Sequence, residues 1–367
     1  MTRVLIAPFL FALTWSCVVA LNGAALKSET AADSAVMSVM KLTKIQAIEG
    51  VHKGSFSRDG TRLALMDQNY VDVIEVAGGR KLSRIDVPEA ILLAARFSPD
   101  GQSLATAYRL RMNGEQSLIK ATVWDAASGR EKITLAGVDR DWRRNVNDLA
   151  FSADGRLIAS NLGGIARLWE VSTGKEVRRF VPETGPPDQE AERALLSPDG
   201  KWLAVYFISP NDRAYKVVRV WNVENGQQQQ FESEIYLDWQ FSADSRLLAM
   251  TAMVDRGKSS QRSVGEIWDV ATAKRLNLIE PPRDWGSANT VAFSPDAKLL
   301  AIGGYKKFGV FSIESGELVA SETHHRAGFF QDSELPSEVS DIEFSPDGTL
   351  LLTGGNDRTV KLWRITR

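Results

Sequence analysis

A five-residue motif that recurs seven times restricts the fold of this 367-residue chain more than any other feature of its sequence. Its consensus is Phe-Ser-X-Asp-Gly, and a short apolar run follows every copy. The copies begin at Phe56, Phe97, Phe151, Leu196, Phe241, Phe293 and Phe344. The steps between them average about 48 residues, a period within the range of repeat proteins.

Each copy has the chemistry of a tight turn between two strands. Pro sets the φ angle of the first central position in four of the copies, Asp bonds the nearby backbone, and Gly tolerates the conformation that follows. Apolar runs on both sides predict a β-hairpin. Ser245 and Ala297 replace the Gly in two copies. For these we expect a type I turn that does not require Gly at its last position.

A second signature lies downstream of every hairpin and predicts two more strands. It is a Trp, or in two weaker copies Ile74 and Phe311, within an alternating strand, and a turn residue follows five positions later in nearly every unit. Each unit therefore contains four short strands, which predicts an all-β fold. The regular spacing assigns the Trp side chains to packing between units: Trp124, Trp169, Trp221, Trp268 and Trp363.

The two signatures together resemble the WD40 repeat family over residues 41–367. The resemblance implies one domain, a seven-bladed β-propeller of four-stranded antiparallel blades. It also implies a hydrogen-bonded set in the last blade made of Trp363, Thr353, Asp357 and either His324 or His325. The Gly-His pair that usually opens a unit is nearly absent here. We therefore expect the other blades to rely on apolar packing.

The ends of the chain predict how the ring closes. The seventh unit ends four residues after Trp363 and lacks a fourth strand, while an orphan strand-like segment, residues 41–48, precedes the first hairpin. An unpaired edge strand is a liability in any sheet. We expect residues 41–48 to complete the seventh blade against residues 359–365, so that their deletion destabilises the whole ring.

Connection lengths predict where a partner binds. From the motif Phe to the Trp position, units one, three, six and seven span 18 or 19 residues, whereas units two, four and five span 25 or 27. The two signature turns have constant length and lie on one face, so the variable connections lie on the other. Loops on a rigid scaffold commonly bind partners, often through Arg and aromatic side chains. The candidates are Arg109, Arg111, Arg140, Trp142, Arg143, Arg144, Tyr215, Arg256, Trp285, Phe329 and Phe330.

The N-terminus has the layout of a secretory signal peptide. Arg3 precedes an apolar stretch and small residues, which predicts a signal over residues 1–25 with cleavage after Ala25 or, alternatively, after Ala20. Residues 26–40 form a flexible linker in this interpretation. We expect an exported protein, periplasmic or secreted; a retained N-terminal membrane anchor is the alternative.

Composition excludes several classes of function. A formal net charge of −2 gives no electrostatic case for nucleic acid, and one cysteine with three histidines leaves little for a zinc site. Common catalytic motifs are absent, so we expect neither a cofactor nor catalysis. We predict a protein-interaction scaffold, monomeric by itself, with one or more protein partners.

The alternative is a propeller that binds a small molecule or glycan at the mouth of the central channel, either as a binding protein or as an enzyme. Tyr206, Phe207 and Trp285, interpreted as loop aromatics, suggest it. Carboxylates that converge in a central pocket would favour this alternative, and an apolar plug would exclude it.

Overall fold

Seven four-stranded antiparallel sheets form a ring in the computed structural model of this chain, which confirms the predicted all-β, seven-bladed propeller. The structure describes residues 40–111, 117–135, 149–212, 214–231, 236–255, 261–305, 307–324 and 338–366. In blades 1 to 6 the four strands of a sheet follow one another along the chain.

The strands of the first four blades have the following bounds. Blade 1 contains β2 (Lys53–Phe56), β3 (Arg62–Met66), β4 (Tyr70–Glu75) and β5 (Lys81–Asp86). Blade 2 contains β6 (Ala90–Phe97), β7 (Ser103–Arg111), β8 (Ser117–Asp125) and β9 (Glu131–Thr134). Blade 3 contains β10 (Leu149–Phe151), β11 (Leu157–Ser160), β12 (Ala166–Glu170) and β13 (Glu176–Phe180). Blade 4 contains β14 (Glu190–Leu196), β15 (Trp202–Ile208), β16 (Lys216–Asn222) and β17 (Gln228–Phe231).

The remaining blades follow the same order, apart from one strand. Blade 5 contains β18 (Tyr236–Phe241), β19 (Leu247–Asp255), β20 (Gln261–Asp269) and β21 (Lys274–Ile279). Blade 6 contains β22 (Thr290–Phe293), β23 (Leu299–Gly303), β24 (Lys307–Ser312) and β25 (Leu318–Thr323). Blade 7 contains β26 (Val339–Phe344), β27 (Leu350–Gly355), β28 (Thr359–Thr366) and β1 (Lys41–Glu49). Short 3₁₀ helices span Leu162–Gly164 and Arg283–Trp285.

Blade 7 is built from both ends of the chain. β1 pairs antiparallel with β28 from Lys41 opposite Thr366 to Glu49 opposite Thr359, with one irregularity between Lys44 and Gln46. Leu42 of β1 is buried in the same apolar cluster as Trp363. The outer edge of β28 is therefore covered by a strand that is covalently continuous with blade 1.

Apolar clusters fill the spaces between successive blades. Trp169, Trp221, Trp268 and Trp363 are all buried, and Trp124 is partly buried against the cluster between blades 1 and 2. Rings from adjacent blades pack on these side chains: Phe180 lies 6.0 Å from Trp221, and Phe308 lies 4.9 Å from Trp363, between centroids. Each such aromatic contact adds about 0.5–1.5 kcal/mol to the free energy of burial.

The seven motif turns share one hydrogen-bond pattern. In the first copy the Ser57 hydroxyl donates to Asp59 Oδ1 at 2.6 Å, and the Gly60 N–H donates to the Ser57 carbonyl at 2.8 Å. The last position is left-handed in every copy, including Ser245 (φ 63°) and Ala297 (φ 53°). We expected the turns of these two copies to have a last position that does not favour Gly, and that expectation is wrong. Each holds an L-residue in a conformation that costs about 1–2 kcal/mol.

The hydrogen-bonded set of the last blade uses His324. Trp363 Nε1 donates to Thr353 Oγ1 at 2.8 Å, and His324 Nδ1 lies 2.7 Å from the same oxygen. Asp357 Oδ1 accepts from the backbone and hydroxyl of Thr359. Gly355 leaves room for the set, since a Cβ there would lie 2.9 Å from both Asp357 Oδ1 and His324 Nε2. His325 lies outside the described residues.

Three other blades also satisfy the indole N–H of their Trp, which corrects the expectation that they rely on apolar packing. Trp124 Nε1 donates to Thr106 Oγ1 at 2.8 Å, and Trp169 Nε1 donates to Ser160 Oγ at 2.8 Å. In blade 5 the acceptor is Glu266, a buried carboxylate that Trp268 contacts at 3.0 Å. A hydroxyl on the second strand is therefore the element that blades 2, 3 and 7 share, and His is an addition in blade 7.

We expect Thr353→Val to lower the free energy of unfolding by about 2–4 kcal/mol, because it leaves Trp363 Nε1 and His324 Nδ1 without their shared buried oxygen. Thr106→Val removes the corresponding hydroxyl of blade 2, which accepts from Trp124 Nε1, and should lower the free energy of unfolding by less. Urea denaturation followed by Trp fluorescence measures both. Equal losses in the two variants would contradict a special role for the blade 7 set.

Candidate functional site

The two faces of the ring differ in construction. Turns between the first and second strands and between the third and fourth strands have constant length and lie on one face. The connections between the second and third strands and between blades lie on the other, which we call the variable face. Every connection that differs in length among the seven units leaves from the variable face.

Part of the extra length in units two and five forms strand rather than loop. β7 and β8 are each nine residues long and remain paired to Arg111 opposite Ser117. β19 and β20 are also nine residues each, paired to Asp255 opposite Gln261. Two β-ribbons therefore extend toward the variable face. Arg109 and Arg111 belong to the first ribbon and not to a loop, and Arg109 is half-buried.

Seven of the predicted partner-binding residues lie outside the described residues: Arg140, Trp142, Arg143, Arg144, Arg256, Phe329 and Phe330. Tyr215 is described and half-buried. Its hydroxyl donates to Gln189 Oε1 at 2.9 Å, and its ring packs against the apolar cluster between blades 3 and 4. Tyr215 therefore stabilises the variable face, because its side chain fixes the connection between these two blades.

Three aromatic residues expected in loops are core residues instead. Trp285 is 3% exposed and packs edge-on against Phe311, with 5.8 Å between centroids. Tyr206 and Phe207 are buried in β15, facing opposite sides of blade 4. The prediction that Trp285 contacts a partner is wrong, because its ring is enclosed. The aromatic argument for a ligand at the channel mouth fails for all three residues.

The connection between blades 3 and 4, residues 181–189, is held by side chains of blade 4. Asp188 Oδ2 accepts from the Ser209 hydroxyl at 2.9 Å and from Asn211 N–H at 3.1 Å. The buried Arg219 guanidinium donates to the Thr184 carbonyl at 2.8 Å. This acidic, Pro-containing segment is therefore fixed to the ring by hydrogen bonds, while Val181 remains 65% exposed.

A groove of about 350 Å³ lies on the variable face between blades 5 and 6. Met253, Val264, Pro281 and Pro282 contribute apolar surface to it. Arg262 and Glu280 form an ion pair within it, and the neighbouring Arg283 is exposed. The buried Trp285 anchors the connection that forms one wall. This blade 5–6 groove combines apolar surface with charged groups on a preformed support.

A second cavity, of about 220 Å³, lies at the centre of the ring. It is lined by the innermost strands of six blades, β2, β6, β14, β18, β22 and β26, and by Ala64 and Met66 of β3. Three cations and three acids face it: Lys53, Arg96, Arg193, Asp238, Asp341 and Glu343. Converging carboxylates and the absence of an apolar plug among the described lining residues are what we expected of a ligand-binding channel.

The channel acids cover the inner edges of neighbouring blades. Asp341 Oδ2 accepts from Gly54 N–H at 2.8 Å, and Glu343 Oε1 accepts from Phe56 N–H at 3.1 Å. These bonds join blade 7 to the innermost strand of blade 1. Because innermost strands have an unpaired edge, each bond satisfies a donor that would otherwise need water.

Blade 5 repeats this arrangement toward blade 6. Asp238 Oδ2 accepts from Val291 N–H at 3.1 Å, and Gln240 Oε1 accepts from Phe293 N–H at 2.6 Å. In both blades the bonding residues stand three and one positions before the motif Phe. That shared position is the sequence signal that could have identified them.

Burial in the channel shifts the pKa values of Asp341 and Glu343. Burial raises the pKa of Asp341, against the lowering effect of its bond to Gly54 and of Lys53 and Arg96. Burial likewise raises the pKa of Glu343 to about 7, although Arg96 opposes the shift. Arg193 Nη2 donates to Asp238 Oδ1 at 2.9 Å. Glu343 therefore exchanges its proton near neutral pH.

Two further properties concern metals and membranes. Among the described residues, no group of three or more His, Cys, Asp or Glu side chains is placed to share a metal ion. No helix within the described ranges has the length and hydropathy that a membrane span needs.

Two segments match the family model described as WD domain, G-beta repeat: residues 138–170 and 330–364. Within the described chain these segments contain β10–β12 of blade 3 and β26–β28 of blade 7. Both blades carry a hydroxyl that accepts the indole N–H of the signature Trp. The matches and the seven blades together support a WD40-type propeller.

Proposed function

We propose that this chain is a non-catalytic interaction scaffold that binds one or more protein partners on its variable face. One observation carries the proposal: every connection of variable length leaves from the same face of a ring whose other turns are constant. WD40 domains commonly mediate protein interactions. Function on a common fold resides in such grafted surfaces rather than in the fold itself.

The blade 5–6 groove is the described part of that face best suited to a partner. Its apolar surface from Met253, Val264 and the two prolines would be covered by a partner's side chain, while Arg283 at its rim offers an exposed cation. Arg is enriched where protein interfaces concentrate their binding energy. The groove is fixed before binding, since Trp285 and the Arg262–Glu280 pair hold its walls.

We further propose that the protein acts after export. Residues 1–25 support this proposal, because they have the layout of a secretory signal peptide. The sequence-based candidates Arg140, Arg143 and Arg144 belong to the proposal of a partner-binding face, as part of a basic patch. Purification from the exported fraction, followed by mass measurement of the N-terminal peptide, tests for cleavage after Ala25 or Ala20.

Site-specific photo-crosslinking tests the interaction surface. We expect a crosslinker placed at Arg283 to give a discrete adduct with another protein in the exported fraction. A crosslinker at Lys298, exposed in a motif turn on the opposite face, is the matched control and should give none. Adducts at both positions, or at neither, would contradict the assignment of this face. The Arg283→Glu substitution should also reduce capture of the same partner.

A further inference from the structure

The cations of the central channel use few of their hydrogen-bond donors. The Lys53 ammonium makes no hydrogen bond or ion pair with any residue that the structure describes. Arg96 makes one hydrogen bond there, from Nη1 to the Ala95 carbonyl at 3.0 Å. Both side chains are half-buried. Because withdrawing a cation from water is costly unless an acceptor replaces the water, these two groups favour an incoming anion.

The acids of the channel, in contrast, already hold donors. Gly54 and Phe56 donate to Asp341 and Glu343, as described above. Asp238 accepts from Arg193, from the Thr290 hydroxyl at 2.7 Å and from Val291 N–H. Each channel acid thus already accepts at least one hydrogen bond, whereas the Lys53 ammonium donates none and the Arg96 guanidinium donates one within the described chain. A ligand that complements these two cations must bring acceptor atoms.

We propose that the central channel binds a small oxyanion, a carboxylate or phosphate group, between Lys53 and Arg96. Lys and Arg are the usual partners of such groups because charge-assisted hydrogen bonds are the strongest available to them. The cavity of about 220 Å³ restricts the ligand to a compact ion. This function is independent of the variable face, because every lining residue lies within a strand and none lies in a connection of that face.

Binding should be linked to protonation of Glu343. The charged groups that face the Glu343 carboxyl are Arg96 of blade 2 and Asp341 of its own strand. Lys53 and Asp238 lie close to Asp341. The Ser55 hydroxyl also donates a hydrogen bond to Glu343. With Glu343 protonated, the six charged side chains of the channel sum to +1. A bound anion favours that protonated form, so affinity should fall as the pH rises through about 7.

The test uses the full chain and three probes: inorganic phosphate, acetate and malonate, at constant ionic strength. Each is added at about 10 mM, where even a millimolar Kd shifts the thermal midpoint measurably. We expect at least one probe to raise the midpoint, and to bind about tenfold more weakly to Lys53→Met and to Arg96→Met. Lys298→Met, an exposed lysine on the opposite face, should respond like the wild type.

Every outcome decides the proposal. Each variant is compared with its own ligand-free midpoint, so a change in stability does not obscure binding. Weaker binding in both channel variants, with a preference for pH 6 over pH 8 that Glu343→Gln abolishes, supports the site. The relative affinities for phosphate and the two carboxylates identify the class of ligand. Equal responses in all variants would mean surface binding only, and no response to any probe would mean a solvent-filled channel; either overturns the proposal.

Discussion

Deletion of residues 2–49 is expected to abolish the cooperative unfolding transition of the whole ring, whereas deletion of residues 2–39 is expected to leave it intact. The first deletion removes β1 and the second stops before it. β1 pairs with β28 along its full length and buries Leu42. It is also the only strand of blade 7 that is covalently joined to the β2 strand of blade 1.

The expected loss is comparable with the stability of a whole domain. A ladder hydrogen bond contributes about 0.5–1.5 kcal/mol net, and burial of one Leu side chain about 1.5–3 kcal/mol. Summed over β1 these approach the 5–15 kcal/mol by which domains are typically stable. Exposure of the β28 edge adds a site for aggregation.

Circular dichroism and Trp fluorescence during urea denaturation measure the effect. Ile45→Ala is the matched point control, since this side chain of β1 is 44% exposed; we expect it to change the free energy of unfolding by less than about 0.5 kcal/mol. An unchanged midpoint after deletion of residues 2–49 would show that contacts between blades 7 and 1 suffice without the closing strand.

The blades could be predicted from sequence because their turns are local. Ser57, Asp59 and Gly60 complete their hydrogen bonds within a few residues, and the same chemistry recurs in every unit. The left-handed φ at Ser245 and Ala297 was not predicted, because we assumed that the turn geometry changes where another residue replaces Gly. The geometry is imposed by the hairpin, and the side chain adapts to it.

Burial of Trp285 depended on a residue distant in sequence. A Cβ at Gly309 would lie 2.4 Å from Trp285 Cη2, so this glycine in β24 makes the space that the indole fills. Glycine inside a strand often marks such a close approach. The extra residues of units two and five were expected in loops. Part of them extends the strands β7, β8, β19 and β20 instead.

The channel was the least predictable part of the candidate site. Asp341 and Gly54 are 287 residues apart in the chain, and only ring closure brings blades 7 and 1 together. The acids before the motif Phe have no local partner and are easily interpreted as ordinary strand residues. Their function becomes evident only when the unpaired inner edge of the next blade is considered.

Glu343→Gln is expected to stabilise the protein at pH 8 by about 2–3 kcal/mol and to have little effect at pH 5. Burial raises the pKa of Glu343 from 4.5 to about 7 in the folded state. One pKa unit corresponds to about 1.36 kcal/mol, and the effect is reduced here because Glu343 is only half-buried and solvent screens its charge. Gln keeps the oxygen that accepts from Phe56 N–H without carrying a charge.

The sign follows from proton binding. Between pH 4.5 and about 7 the folded protein holds a proton on Glu343 that the unfolded chain has released, so stability falls as the pH rises through this range and the loss is complete above it. His52, whose pKa is lowered mainly by burial, acts in the opposite direction near its ordinary 6.5. The difference between wild type and Glu343→Gln therefore isolates the carboxyl, because His52 is common to both.

Gln240→Glu in blade 5 is the reciprocal control. Gln240 makes the same bond to the next blade that Glu343 makes, with its Oε1 accepting from Phe293 N–H. The natural chain thus already uses an amide at this position of one blade. We expect Gln240→Glu to lose stability between pH 5 and pH 8, opposite in sign to Glu343→Gln, in urea titrations at each pH. Parallel pH profiles for wild type and Glu343→Gln would show that Glu343 is ionised throughout and that the channel does not perturb it.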